Sequence, residues 1–252
     1  MVPSYGLSGK VVLVSGAATG IGRATALALA QAGASVAVNH LAQPAAAAAL
    51  VRELHALGAH ACAVEADVTR SGDIAQMLAG VKQVLGPVDV LVNNAGIIQE
   101  KSLLDTTEEE WDRMLAVDLK SVFLLSRAVL PGMLTRGQGV IINIASDLGL
   151  LGRSGFAAYC AAKAGVIGLT RAMAREFAPL IRINAVAPGA VNTAMVSSAA
   201  MSAASLVQEL AVPQGRIAEP EEIAATVVFL ASDLARFYCG QVLSPNGGSV
   251  MV

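Results

Sequence analysis

The chain has 252 residues, 55% of them hydrophobic and 14% charged, with a formal net charge of −2. That length suits a single α/β domain with a substantial core; the near-neutral balance argues against a nucleic-acid partner, and the apolar excess points to wide helix–sheet and subunit–subunit burial. No apolar run reaches the length of a membrane span, and the opening MVPSYGLSGKVVLVSG lacks the basic, apolar and small-residue regions of a leader, so a cytoplasmic location is expected.

The first strand is expected at residues 10–15 (KVVLVS), running into GAATGIG and an alanine-rich helix at 21–32. Gly33 ends that helix, and residues 35–39 form a second strand. Pro44 opens a second helix that runs to Gly58. Residues 61–65 make a third strand, 72–85 a third helix, and 88–92 a fourth strand closed by NNAG. One long helix is expected over 107–134, with Thr107 and Glu110 as a capping box. A fifth strand at 139–145 leads to Ser146, a helix at 157–178 carries Tyr159 and Lys163, and a sixth strand at 181–187 ends at Pro188-Gly189. Residues 190–214, rich in Ala, Ser and Met, are expected to form a mobile helical lid over the substrate, before a helix at 221–231 and a last strand at 241–244. Strands alternate with helices and no linker or repeat divides them, so residues 1–252 are expected to form one domain: a doubly wound parallel sheet with helices on both faces.

Several stations along this path carry chemistry. Tyr159 and Lys163 stand four apart on a helix, hence on one face, where an ammonium favours a phenolate and poises the pair for proton transfer near neutrality. The loop Gly16, Thr19, Gly20, Ile21, Gly22 follows a strand and opens a helix, which suits backbone N–H groups approaching a pyrophosphate. Cys62, Cys160 and Cys239 with histidines 40, 55 and 60 show neither a disulfide framework nor metal-ligand spacing, so no metal is expected.

Taken together, SGAATGIG resembles the TGxxxGxG loop of the short-chain dehydrogenase/reductase family, with Ser15 for the usual threonine. Further stations resemble that family in order and spacing: Asp67-Val68 beside the adenine, Asn93-Asn94-Ala95-Gly96 steadying the sheet, Ser146-x12-Tyr159-x3-Lys163 as the active site, and Asn246-Gly247-Gly248 after the last strand. Pro188-Gly189-x3-Thr193, with Val191 inside it, is similar to the motif that holds the nicotinamide carboxamide. The resemblance spans essentially the whole chain and implies a Rossmann-type fold and hydride transfer between nicotinamide and a ketone or secondary alcohol. It also implies roles: Tyr159 as acid/base, Ser146 on the same oxygen, and Lys163 lowering the Tyr159 pKa while binding the ribose. A homotetramer built on the helices at 107–134 and 157–178 follows from the same resemblance.

The chain departs from the family pattern at two places. Where VNLxG usually supplies a relay asparagine, it reads Val117-Asp118-Leu119-Lys120, implying either an altered pH profile or a damaged relay. At the end of the second strand, Asn39-His40-Leu41 puts His40 where NAD-binding members carry an acid. Thr19 replaces the basic residue often found with NADP, but VNH resembles the VNY of NADP-using reductases, so the expectation leans to NADP(H) with NAD(H) open. The overall pattern is most like the 3-oxoacyl-ACP reductase branch, whose substrate is a thioester; against it, the turn Ala178-Pro179-Leu180-Ile181 lacks a basic residue to meet an acyl carrier protein. Related alcohol and polyol dehydrogenases share every motif named. The rival of another class is a nucleotide-binding sensor or partner subunit impaired in catalysis, for which Asp118 is the one supporting feature.

Overall fold

The computed structural model describes residues 5–197 and 199–251. Residues 1–4, at the start of the opening stretch, Ser198 inside the expected lid, and Val252 lie outside it. In chain order the elements are β1 (Val11–Val14), α1 (Gly20–Gln31), β2 (Ser35–His40), α2 (Pro44–Ala56), β3 (Ala61–Glu65), α3 (Ser71–Val84) and β4 (Val90–Asn93). Then come α4 (Glu108–Leu115), a π turn (Ala116–Lys120), α5 (Ser121–Arg136), β5 (Gly139–Ile144), α6 (Leu148–Leu151) and α7 (Ala157–Phe177). The chain closes with β6 (Ile181–Val186), α8 (Ala203–Leu210), α9 (Pro220–Ala231), a 3-10 turn (Asp233–Ala235) and β7 (Val242–Leu243).

All strand pairs are parallel, in the order β3-β2-β1-β4-β5-β6-β7. The strands read as unbroken apolar runs because both faces of the sheet are covered. Along β1, Val12 and Val14 pack with Leu29, Leu50, Ile223 and Val227 on one face. Val11 and Leu13 pack with Ile74, Met77, Leu125 and Met133 on the other. With both faces closed, the ligand-accessible ground lies at the carboxyl ends of the strands. It centres between β1 and β4, where the strand order reverses, the switch point of a doubly wound sheet.

Two expectations about elements need correction. The helix expected over 107–134 is two helices joined by the π turn, with the Thr107–Glu110 capping box in place at its start. The wide turn rotates the following residues relative to a straight helix, and Asp118 at its centre is fully buried. The expected lid is helical only in its second half, at α8; before it lie turns and bends, and Val191 bridges to Ala218. The short α6 between Ser146 and Tyr159 was not foreseen.

At the entrance to α1, Gly22 has no room for a side chain: a Cβ would stand 2.5 Å from both Asn94 Nδ2 and Gly16 O. Because the second of these is backbone, Gly22→Ala is expected to lower stability by about 1–3 kcal/mol through overpacking. Urea unfolding measures it, and an unchanged midpoint would contradict the steric account.

Candidate active site

The glycine loop and β4 are stitched together by side chains. Ser15 Oγ accepts the N–H groups of Asn94 and Ala95 at 2.9 and 3.0 Å, and Asn94 Nδ2 donates to Ser15 O and Gly16 O at 2.9 and 3.1 Å. A serine in the threonine position suffices because the hydroxyl makes these bonds. The N-cap of α1, Thr19, makes no side-chain hydrogen bond to the first-turn N–H groups, and the turn holds no acid. Those N–H groups and the positive helix end suit a pyrophosphate. One step on, Asn39 Oδ1 accepts Gly16 N–H at 3.2 Å while Nδ2 donates to Ala66 O at 3.1 Å, so this amide braces the loop against β3. No acid stands at the end of β2, and Arg23 lines the same end of the cleft, paired with Glu53 at 2.6 Å. These residues fit a nicotinamide dinucleotide.

The cleft, of about 910 Å³, continues across the switch point to Ser146, Tyr159 and Lys163. Helix α7 is fixed to the sheet by a buried polar chain. Asn93 Nδ2 donates to Asn143 Oδ1 at 2.8 Å, Asn143 Nδ2 to Thr170 Oγ1 at 2.8 Å, and Thr170 Oγ1 to Val166 O at 2.7 Å. One turn separates Tyr159 from Lys163, and both are buried. Lys163 Nζ lies 5.5 Å from the Tyr159 ring centre, donates to Ile144 O at 3.2 Å, and pairs with Asp118 Oδ2 at 3.1 Å. Asp118 Oδ1 accepts Ile97 N–H at 2.8 Å. Gly96 permits this approach, since a Cβ there would stand 3.0 Å from Asp118 Oδ2.

The electrostatics of this cluster are dominated by burial. Burial pushes the Asp118 carboxyl up, against the pull of Lys163 and the Ile97 N–H. Burial also pulls Lys163 down, but Asp118 and Tyr159 outweigh it and hold the ammonium above its ordinary range. Burial pushes the Tyr159 phenol up despite Lys163 and a hydrogen bond with Ser146, and Asp118 pushes it further. Lys163 therefore acts on Tyr159 in the expected direction, but desolvation wins. The site as built holds Tyr159 as a neutral phenol, a proton donor suited to ketone reduction.

Beyond Ser146 the wall is more polar than its sequence suggested. Asp147, 4% exposed, accepts Ser146 Oγ–H at Oδ1 (3.2 Å) and Ser249 Oγ–H at Oδ2, while Leu148 N–H donates to Ser146 Oγ at 3.1 Å. Burial pushes the Asp147 carboxyl up against those hydrogen bonds. Glu209 of α8, also buried, lines the cleft and pairs with Arg153. The start of α8 is tied to the floor: Glu100 accepts Ser202 N–H at 2.6 Å and the hydroxyls of Ser202 and Ser205, each at 2.8 Å. Met195 and Met201 line the cleft as well.

Of the residues singled out from sequence, Gly16, Thr19, Gly20, Ile21, Asn39, Asp67, Val68, Asn94, Ala95, Gly96, Asp118, Ser146, Tyr159, Lys163, Pro188, Gly189, Val191 and Thr193 all line this one cleft. Gly22 and His40 do not. Gly22 sits behind the loop as a packing position, and His40 is buried with Nδ1 accepting Gln43 N–H at 3.4 Å. Asn39 and Leu41 stand at the cleft in its place. Sequence reasoning missed Asp147 and Glu209; an acid directly following the serine was the available signal for the first. Among the described residues no cluster of potential ligands for a metal is present, and no helix is long and apolar enough to cross a membrane.

Residues 16–249 match the family model described as enoyl-(acyl carrier protein) reductase. The chain is 43% identical to the 3-oxoacyl-[acyl-carrier-protein] reductase of Staphylococcus epidermidis over 243 residues, 96% of this chain and 99% of that one. It is also 43% identical to that of Vibrio cholerae, over 98% of this chain and 99% of the relative. Among solved structures, a short-chain type dehydrogenase/reductase from Mycobacterium marinum superposes with a TM-score of 0.92 at 36% identity, covering 99% of this chain and 98% of that one. A 7α-hydroxysteroid dehydrogenase complexed with NADH and 7-oxo glycochenodeoxycholic acid does so with a TM-score of 0.92 at 33% identity, covering 99% and 97%.

Proposed function

Because the chain belongs to the short-chain dehydrogenase/reductase family, oxidoreductases working on the CH–OH/C=O couple, we propose that Tyr159, Ser146 and Lys163 interconvert a ketone and a secondary alcohol. The observation that carries this reading is the convergence of those three side chains and the glycine loop on one cleft. The bound nicotinamide supplies or accepts the hydride. In the reducing direction Tyr159 gives its proton to the oxygen as negative charge develops there, and Ser146 donates a hydrogen bond to the same atom. Lys163, held charged by Asp118, stabilises the phenolate left behind and would hold the nicotinamide ribose. Asp118 is a positioning residue in this scheme: it acts through Lys163.

The cofactor in this reading is NADP(H) in preference to NAD(H). It is supported by the missing acid after β2, by the engagement of the Asn39 amide within the protein, and by Arg23 as the cation at that end of the cleft. The relatives support a 3-oxoacyl thioester as substrate. A second substrate class, alcohols and polyols, is favoured by Asp147 and Glu209, acids that an acyl chain does not require. We place the protein in the cytoplasm as a homotetramer joined through the α4–α5 segment and α7, with residues 190–214 as the substrate lid.

Initial rates with NADPH and NADH against acetoacetyl-coenzyme A and a panel of ketones test the reading. Turnover with NADPH exceeding that with NADH is expected. A preference for NADH overturns the cofactor assignment, and no turnover with any member despite tight nicotinamide binding favours the impaired binder.

A further inference from the structure

Asp147 is an acid of the cleft wall whose side-chain hydrogen-bond partners are hydroxyl groups and not a cation. Asp118 is paired with Lys163 and Glu209 with Arg153, whereas Asp147 receives Ser146 Oγ–H at one oxygen and Ser249 Oγ–H at the other. A carboxylate has about four acceptor positions, so further donors can be taken. The same geometry constrains Ser146. A serine hydroxyl has a single proton, and here it is shared between Asp147 and the Tyr159 phenol, while Leu148 N–H occupies one lone pair. To serve a carbonyl oxygen, as the reducing reaction requires, that proton must turn away from Asp147, which is then one donor short.

A hydroxyl of the substrate supplies that donor with least rearrangement. Ser146 and Asp147 are consecutive, and their interacting oxygens are 3.2 Å apart, so two oxygens on adjacent carbons can meet them together. We propose that Asp147 selects substrates carrying a hydroxyl on the carbon beside the reacting centre: an α-hydroxy ketone in reduction, a vicinal diol in oxidation. The substrate hydroxyl donates to Asp147 and displaces the Ser146 proton, which turns to the neighbouring carbonyl oxygen. The hydroxyl thus both binds the substrate and arms the serine. An unfunctionalised ketone or a 3-oxoacyl thioester brings no such donor and must break the Ser146–Asp147 bond uncompensated. The reaction balance is unchanged: the carbonyl carbon gains a hydride from the reduced nicotinamide, its oxygen gains the Tyr159 proton, and the adjacent hydroxyl is conserved.

The inference rests on the hydride-transfer reading and refines its substrate. Its test compares kcat/KM for acetoin, butanone and acetoacetyl-coenzyme A in the wild-type full chain and in Asp147→Asn, with NADPH binding followed separately by fluorescence. Loss of a hydrogen bond to a charged group predicts acetoin over butanone by about 10- to 100-fold in the wild type. In Asp147→Asn that ratio collapses toward one, the loss falling on acetoin. The ratio is the informative quantity, because a general loosening of the site would lower both substrates together. If the variant fails to fold, the wild-type ratio decides alone. Parity of acetoin and butanone, an acetoacetyl-coenzyme A preference over acetoin, or a ratio unmoved in Asp147→Asn overturns the assignment of Asp147 while leaving hydride transfer intact. No turnover of any of the three with NADPH bound overturns the hydride-transfer reading, and the Asp147 assignment falls with it.

Discussion

Tyr159→Phe is expected to lower kcat by about 10²- to 10⁴-fold, the usual contribution of a positioned acid/base, while leaving cofactor affinity within a few-fold of the parent. The substitution removes one oxygen and keeps the ring, which packs with Met114, Leu148 and Phe156. It also removes a buried hydroxyl whose partner, Ser146, has other bonds to make. Stability should therefore change little, and the loss should be confined to chemistry. Steady-state rates beside a cofactor titration separate the two. A variant retaining a tenth or more of parental kcat would show that another group moves the proton.

Changing Asp118 has a larger structural reach. Asp118→Ala leaves the Lys163 ammonium buried without its counter-charge, and breaking such a pair costs about 3–5 kcal/mol. Asp118→Asn is milder, since its amide oxygen can still accept Ile97 N–H. The sign of its pH effect follows from the causes. In the parent, Asp118 is the chief influence holding Lys163 up, and it also pushes Tyr159 up. Without that charge, burial pulls the lysine down with only Tyr159 acting against it, and the phenol loses one upward push. Both groups then lose their protons at lower pH, so the alkaline limb of the kcat/KM profile for reduction moves to lower pH while measurable activity remains. A rate profile across neutral and alkaline pH checks this, and an unmoved alkaline limb would contradict the coupling. If the asparagine creates activity where the parent has none, the parent is not an effective enzyme.

Much of this architecture is readable in the residues because its causes are local. Apolar runs such as VVLV and VLVN, broken by glycine loops and helices, describe a sheet covered on both faces, and the motif residues lie where such strands end. The misreadings occur where causes are not local. Asn39 and His40 are both expected at the cleft, and only Asn39 lines it, beside Leu41, while His40 is buried away from it. Side chains alternate along a strand, so a shift of one position at its end turns a surface residue inward. The π turn escapes notice because its residues, AVDLK, include no glycine or proline to mark a break in the helix. The acidic wall depends on distant pairings, Arg153 with Glu209 and Asp147 with Ser249, that no spacing announces. The assumption that Lys163 would govern the tyrosine omitted the desolvation of both groups, a property of the assembled fold.

The amide and hydroxyl chain from Asn93 through Asn143 to Thr170 has a consequence for catalytic aim. Greasy contacts are tolerant of sliding: a helix resting only on valines and leucines can creep along a sheet at little cost. Two asparagine side chains and a threonine, buried and bonded in fixed directions, are intolerant of it. Thr170 stands seven residues beyond Lys163 on the same rod, so the notch that seats the one also sights the other. Adhesion of α7 to the sheet is left to its apolar neighbours, and alignment to the polar chain.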